Sequence, residues 1–210
     1  MGTKDRRDRE RQETKQAILD AARGMFVRNG YEATTMRGIA DAVEYTPTAI
    51  YHHFRNKEAL LTELCSCDFR ALAQAFLRIG RVADPFERLA KIGEAYVEFA
   101  QGHPMQYQLM FMTVHPEGFQ TKDIEQGDPG DDAYAFLRQT CSEIIATGRL
   151  RAELNDADAL AQIFWGTMHG LVSLQIAKAH NHWISWRDLR ETARAACDAM
   201  IRGMLKAPQA

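Results

Sequence analysis

The sequence lacks several features that would assign it to familiar classes of protein. Its four cysteines include no C-x-x-C pair, so neither a zinc site nor dithiol redox chemistry is indicated. It contains no run of about 18 apolar residues, which excludes a membrane-spanning helix. After its first residue the N-terminus is charged, which argues against a secretory signal and predicts a cytoplasmic protein.

Patterns typical of β-structure and of catalysis are missing as well. No alternation of apolar and polar residues extends beyond about four positions. The chain has no G-x-S-x-G turn, no phosphate-binding glycine loop and no H-E-x-x-H motif. His180 and His182 stand two apart, which would place them on different faces of a helix, so they do not form a metal site with Cys197. The sequence therefore predicts no metal, no cofactor and no enzymatic activity.

The charge of the chain is divided unevenly along its length. The formal net charge is −2, yet residues 1–57 carry 11 Lys and Arg against 8 Asp and Glu, whereas the remainder carries 15 against 20. Binding to phosphates depends on where cations lie and not on the net charge of the whole chain. The N-terminal part is therefore the candidate for contact with nucleic acid.

Helical periodicity dominates the sequence. A first helix is predicted from Thr14 to Asn29-Gly30, a dipeptide typical of helix ends. A long helix begins at Lys57 and meets neither glycine nor proline until Gly80. Residues 113–132 show no periodicity and predict a mobile loop. The whole pattern predicts an all-α fold of about nine helices.

Residues 35–54 predict a helix-turn-helix. Ile39, Ala40 and Val43 form an apolar stripe on a short helix, and Thr46-Pro47 then marks a new helix start, because a threonine hydroxyl caps the first turn and proline suits the first helical position. Two short helices joined by so short a turn typically place the second, the recognition helix, in the DNA major groove.

This stretch resembles the DNA-binding domain of the TetR family of bacterial transcriptional regulators. The resemblance covers residues 12–72 and is carried by Thr34-Thr35, Ile39-Ala40, Thr46-Pro47, the run Ile50-Tyr51-His52-His53-Phe54 and the run Lys57-Glu58-Ala59-Leu60-Leu61. It implies three parts: a flexible arm over residues 1–11, a DNA-binding domain over 12–72, and a C-terminal regulatory and dimerisation domain over 73–210. The arginines of the arm either are solvated or reach the DNA.

Glu44 departs from the family pattern. Family members usually have glycine at this turn position, which tends to require a positive φ. Either the turn is reshaped, or it keeps its geometry and the surrounding packing carries the strain.

Two groups of residues are predicted to contact DNA. Those at the start and on the outer face of the recognition helix would meet bases or nearby phosphates: Thr46, Pro47, Thr48, Tyr51 and His52. Those beside it would hold the DNA backbone: Thr35, Arg37 and Lys57.

The C-terminal part contains a second motif, Trp165-x-x-x-His169-Gly170. Gly166 and Gly170 share one helix face and allow close approach by another helix or a ligand. The motif, with His103-Pro104-x-x-Tyr107, resembles the regulatory domain named for its Trp-His-Gly motif. Trp165 and His169 either pack in the core or line a cavity. A cavity would have an aromatic and thioether wall: Tyr96, Phe99, Tyr107, Met110, Phe111, Phe136, Phe164, Trp165, Met168 and His169.

These observations predict a dimeric repressor that a largely apolar or aromatic effector releases from operator DNA. One recognition helix reads few base pairs, so two-fold dimers are expected, and the resemblance implies an interface through the last two long helices. The alternatives are a DNA-binding activator or architectural protein without a small-molecule ligand and, less favoured, an enzyme on a helical scaffold.

Overall fold

The computed structural model describes residues 3–207, with side chains from residue 5 onward, and this part of the chain confirms the all-α prediction. It contains nine helices, and none of them is long and apolar enough to cross a bilayer. Their bounds are α1 Thr3–Ala33, α2 Met36–Ala42, α3 Pro47–Tyr51, α4 Lys57–Leu77, α5 Pro85–Gly102, α6 Pro104–Phe111, α7 Ala133–Ala146, α8 Ala157–Lys178 and α9 Leu189–Met204.

The chain divides into two compact units. The first combines Met1–Asp68 with Met105–Asp123, and the second combines Phe69–Pro104 with Ile124–Ala210. The domain limit predicted between residues 72 and 73 falls within α4, so this helix contributes residues to both units. The sequence did not indicate that Met105–Asp123 would join the N-terminal unit.

The first unit is built around an apolar core from α1 to α4. Its buried residues include Ile18, Ala22, Phe26, Ile39, Ile50, Phe54 and Leu60. Val43, a member of the apolar stripe predicted on α2, is only half-buried, because it lies at the C-terminal end of α2 where the chain turns. The core also encloses an ion pair between Arg23 on α1 and Asp68 on α4, which are 9% and 6% exposed.

Helix α1 is longer at its N-terminus than the apolar periodicity indicated. Residues 3–11, predicted to be a flexible arm, lie in the helix, and their flexibility stays a prediction. Exposed contacts four residues apart support this first part, such as Arg6 Nε to Glu10 Oε1 at 2.9 Å. Met1 and Gly2 lie outside the described residues. At the other end Gly30 has φ 79° and ψ 170°, which interrupts the helix at the predicted Asn29-Gly30 stop.

Several contacts attach residues 105–123 to the first unit. The backbone N–H of Lys122 donates to Ser66 Oγ at 2.7 Å, and a Cβ on Gly24 of α1 would lie 3.3 Å from Met105 Cε. His115 Nε2 lies 2.8 Å from the carbonyl oxygen of Leu109. The segment that follows α6 contains no helix before α7, as predicted, but it has specific contacts within the unit.

The second unit contains α5, α7, α8 and α9, and each of these helices begins at an aspartate cap. Asp84, Asp132, Asp156 and Asp188 accept hydrogen bonds from backbone N–H groups of the first turn. The close approach of α5 and α8 is possible because residue 93 is glycine: a Cβ there would lie 3.1 Å from the Phe164 ring. The apolar core of the second unit includes Leu89, Ile92, Tyr96, Val97, Phe136, Leu137, Ile144, Leu160, Phe164, Met168, Val172 and Leu189.

Candidate nucleic-acid interface and regulatory unit

The recognition helix α3 begins where the sequence predicted. The Thr46 side chain accepts a hydrogen bond from the backbone N–H of Ala49 at 3.2 Å, and Pro47 occupies the first helical position. Thr35 caps α2 in the same way, accepting from Gly38 N at 3.0 Å. Both threonines therefore fix the start of a helix, and their hydroxyls lie at the helix N-termini where backbone N–H groups favour anions.

The turn between α2 and α3 keeps the left-handed geometry for which glycine is usual. Glu44 has φ +58°. The backbone N–H of Tyr45 donates to Ala40 O at 3.0 Å, and that of Glu44 donates to Asp41 O at 3.3 Å. These two bonds form the Schellman arrangement, with Glu44 at its left-handed position. Of the two possibilities stated above, the turn therefore keeps its geometry, with a left-handed backbone conformation at Glu44.

Helix α3 buries one face and exposes the other. Ile50 is fully buried and Phe54 is 4% exposed, whereas Tyr51 is 52% exposed. Because the two buried residues anchor the helix, its outer face is fixed toward solvent. Seven of the eight predicted DNA contacts are exposed, five on α3 or at its caps and two at the start of α2: Thr35, Arg37, Thr46, Pro47, Thr48, Tyr51 and His52.

Lys57, the eighth, is half-buried and has a structural contact of its own. Its ammonium donates to the backbone carbonyl of Tyr31 at 2.7 Å and lies 4.0 Å from the centroid of the Tyr31 ring. Carbonyls near the end of a helix attract cations, so Lys57 stabilises the end of α1 against the start of α4. A contact of Lys57 with DNA phosphate stays a prediction.

A cluster of cations beside α3 was missed as a unit by the sequence analysis. The pKa of His53 is lowered, first by burial and then by repulsion from Arg11, His52 and Lys15. Lys15 also pairs with Glu63 and lies 5.7 Å from the Phe54 ring centroid. In the sequence, only the spacing of Arg11 and Lys15, four residues apart, indicated this cluster. The apolar periodicity predicted a helix only from Thr14 onward, so Arg11 was not placed on it.

In the second unit, the Trp-His-Gly motif forms a hydrogen-bonded chain through Tyr96. Trp165 Nε1 donates to the Tyr96 hydroxyl at 3.1 Å, and that hydroxyl lies 3.3 Å from His169 Nδ1. An indole nitrogen can only donate, so the tyrosine oxygen accepts from it, and a neutral imidazole can accept the tyrosine proton. Burial lowers the pKa of His169, which favours this neutral ring.

The predicted ligand residues are divided between the units. Tyr107, Met110 and Phe111 belong to the first, and the other seven belong to the second. In the second, Phe164 and Met168 are almost fully buried, whereas Trp165 is 37% exposed. One open cavity of about 710 Å³ lies between α5 and α9, and another of about 520 Å³ lies beside the start of α7. Neither of these two cavities is lined by a predicted ligand residue. A ligand cavity at the Trp-His-Gly motif stays a prediction.

One face of α8 has little covering it. A Cβ on Gly166 or Gly170 would meet no atom of the described structure within 4 Å beyond the helix backbone. On the same face Ile163 and Leu174 are 50% and 55% exposed. Since no part of the described chain packs against these glycines, the close approach that they allow is not used within the described chain.

A capped, exposed recognition helix on an otherwise helical chain defines a helix-turn-helix DNA-binding transcriptional regulator. Comparison with known families agrees in both parts of the chain. The family of bacterial regulatory proteins called tetR matches residues 18–64, and the tetracyclin repressor-like C-terminal domain matches residues 89–200. The chain belongs to the TetR family of bacterial transcriptional regulators. The Trp-His-Gly subtype stays a prediction.

Individual proteins are similar to this one over most of the chain, two of them in fold. The probable acrEF/envCD operon repressor of Escherichia coli K12 is 28% identical over 90% of this chain and 86% of its own length. The fatty acid degradation regulator FadR of Bacillus halodurans superposes with a TM-score of 0.70 at 18% identity, covering 90% of this chain and 95% of its own. PfmR, a TetR family regulator from Thermus thermophilus, superposes with a TM-score of 0.65 at 24% identity, covering 90% and 96%.

Proposed function

We propose that the chain is a dimeric repressor that binds operator DNA through α3 and leaves it when an apolar or aromatic small molecule binds the second unit. The observation that carries the proposal is the exposed outer face of α3, held in place by the buried Ile50 and Phe54. The E. coli relative is named a repressor, which supports the sign of regulation. Chromosomal DNA as partner implies a cytoplasmic location.

The proposed contacts with DNA follow from side-chain chemistry. Thr48, Tyr51 and His52 present hydroxyl and imidazole groups from α3, and these groups can meet base edges or nearby phosphates. Thr46 and Pro47 place the helix N-terminus at the same surface. Arg37 provides an exposed cation on α2 for the DNA backbone.

The proposed effector site includes the chain of Trp165, Tyr96 and His169. Trp165 is partly exposed, and its ring centroid lies 6.0 Å from that of Tyr134 on α7. Two neighbouring aromatic rings and a hydrogen-bonded imidazole suit an apolar or aromatic molecule with one polar group. The effector would compete with or extend the existing hydrogen bonds and so change how α5 and α8 pack.

The proposed dimer interface consists of the exposed faces of α8 and α9. Gly166 and Gly170 permit a second helix to approach closely, and Ile163 and Leu174 supply apolar area beside them. On α9 the exposed Ala199 and Gly203 present small residues four apart. Two such helices from each subunit would form a four-helix interface related by a two-fold axis.

Binding to a genomic duplex tests the proposed function. Duplexes recovered from genomic DNA by the full-length protein would be measured by fluorescence anisotropy with wild type, Tyr51→Ala and Trp183→Ala. Loss of one base or phosphate contact costs about 1–3 kcal/mol, so Tyr51→Ala should weaken binding about tenfold or more. Trp183 is 82% exposed in the other unit and is the matched aromatic control, with no change expected. Recovery of no specific duplex, or equal affinities for all three proteins, would reject the proposal.

A DNA-binding protein without an effector is the second candidate, and one observation favours it. Phe164, Met168 and Tyr107, three of the predicted ligand residues, are at most 2% exposed and fill the cores of their units. A thermal-shift screen with aromatic and aliphatic compounds separates the candidates. A compound that both raises the melting temperature and releases DNA supports the repressor, whereas binding of DNA that no compound alters supports the second candidate.

A further inference from the structure

The first part of α1 carries arginines that the fold does not use. Every residue from 5 to 13 is exposed, so this part of the helix extends beyond the core of the first unit. Arg6 pairs with Glu10, and Arg9 also has an interaction. Among the described side chains, Arg7 and Arg11 make no ion pair with a carboxylate. Exposed cations without a protein partner remain available to an external anion.

Arg7 and Arg11 share one helix face with Lys15, since the three follow each other at intervals of four residues. We call these three residues the basic stripe. Ile18, which is fully buried in the core, continues the same face. The basic stripe therefore continues, toward the N-terminus of α1, the face by which this helix packs on the helix-turn-helix. Arg7 and Arg11 lie beyond the packed part of that face.

Contacts from the middle of α1 locate this face relative to the recognition helix. The Thr14 hydroxyl lies 3.4 Å from that of Tyr45, the residue just before the cap of α3, and Lys15 Nζ lies 5.7 Å from the Phe54 ring centroid. With a rise of about 1.5 Å per residue, Arg11 and Arg7 lie about 5 and 10 Å along the helix from Thr14. Both arginines therefore lie within about two turns of α1 from its contact with Tyr45, the residue beside the cap of α3.

The electrostatic environment beside α3 agrees with an anion partner. The pKa of His53 is lowered by burial and then by repulsion from Arg11, His52 and Lys15. Arg11 and Lys15 of α1 therefore act on the imidazole that follows α3. A phosphate placed there would reduce the repulsion among them.

We propose that the basic stripe is a second DNA-binding element, in which Arg7 and Arg11 contact the phosphate backbone beside the half-site read by α3 while Lys15 stays paired with Glu63. The inference rests on the proposed function and adds to it. Contacts with phosphates carry no sequence information, so the stripe raises affinity and salt dependence without changing the preferred sequence. Because the segment is already helical, little ordering cost is expected on binding, in contrast to a flexible arm.

The test compares two double variants of equal charge. In Arg7→Gln/Arg11→Gln the unpaired arginines are removed, and in Arg6→Gln/Arg9→Gln the partnered ones are removed. Arginine and glutamine have similar helix propensities, so α1 should persist in both, which circular dichroism checks. Anisotropy with a duplex recovered by the wild-type protein would be recorded between about 50 and 200 mM KCl.

The slope of log affinity against log salt is the decisive readout. Each phosphate contact contributes about 0.9 to the slope, and a dimer loses about four such contacts when Arg7 and Arg11 are removed from both subunits. The slope should therefore fall by about 3.6, which is about a 150-fold smaller loss of affinity over this salt range. Arg6→Gln/Arg9→Gln should keep the wild-type slope, and Arg7→Lys/Arg11→Lys should also keep it.

Each remaining outcome has a defined meaning. Equal slopes for the two glutamine variants would contradict the proposal that the basic stripe binds DNA, because the effect would then depend on total charge. An altered ranking of duplex sequences would also overturn it, since phosphate contacts do not read bases. If the wild-type protein binds no duplex specifically, the proposed function itself fails, which the Tyr51→Ala comparison detects independently.

Discussion

Glu44 stores backbone strain in the turn that positions the recognition helix. A left-handed conformation costs a residue with a Cβ about 1–2 kcal/mol, and glycine avoids this cost but loses more backbone entropy on folding. With φ at +58°, Glu44→Gly should therefore raise the free energy of unfolding by about 0.5–1 kcal/mol. Urea unfolding with an unchanged m-value is the measurement.

Glu44→Ala is the matched control for this prediction. Alanine also has a Cβ, so it should stay close to wild type although it removes the same charge. A gain in Glu44→Ala as large as that in Glu44→Gly would identify the carboxylate and not the backbone as the source of instability.

For single residues, the sequence indicated which positions are structurally important, but it did not indicate the backbone geometry or the hydrogen bonds at those positions. The absence of glycine at position 44 indicated a strained or altered turn, but only backbone geometry could distinguish the two. Tyr96 was predicted as part of an aromatic wall, and in the structure its hydroxyl links Trp165 and His169 by hydrogen bonds. No periodic pattern indicates such a role, because its partners lie 69 and 73 residues away.

Helices α1 and α4 are connected by a buried ion pair. Substituting only one of its two residues should lower the free energy of unfolding substantially. Arg23 and Asp68 have side chains only 11% and 8% exposed. Removing one partner of a buried pair leaves the other charge uncompensated and typically costs about 3–5 kcal/mol. Asp68→Asn and Arg23→Met should each destabilise the protein by an amount in this range, measured by urea unfolding.

Two further variants define what this result would mean. Arg6→Gln, which breaks an exposed pair on the same helix, should change stability by less than about 0.5 kcal/mol. The double variant Arg23→Met/Asp68→Leu should cost less than the sum of the single changes, because neither charge is then left buried alone. Additive effects would show that the two side chains act independently.

The elements themselves show which physical signals a sequence carries. The cap at Thr46 was predicted because it acts within a few residues of itself. The first part of α1 was missed because charge pairs, as between Arg6 and Glu10, support it in place of apolar burial. The inclusion of Met105–Asp123 in the first unit depends on contacts such as Lys122 with Ser66, 56 residues apart, and local pattern does not report these.

For the whole molecule, the uncovered face of α8 predicts that the protein forms a dimer, and the oligomeric state tests this prediction. Light scattering after size exclusion should give twice the chain mass of 23.8 kDa. Ile163 and Leu174 are 50% and 55% exposed beside two glycines that no described residue approaches. Ile163→Asp/Leu174→Asp should therefore give a folded monomer, because four carboxylates would be buried at a two-fold interface.

Val114→Asp is the control for this prediction, since Val114 is 87% exposed and lies in the other unit, so this variant should remain dimeric. The monomeric variant should also bind an operator duplex far more weakly than wild type, because each recognition helix would then read its half-site alone. A wild-type protein that elutes as a monomer, or an Ile163→Asp/Leu174→Asp variant that stays dimeric, would show that the subunits meet through another surface. Intact DNA binding by a proven monomer would instead show that one recognition helix, with its neighbouring cations, is sufficient for operator affinity.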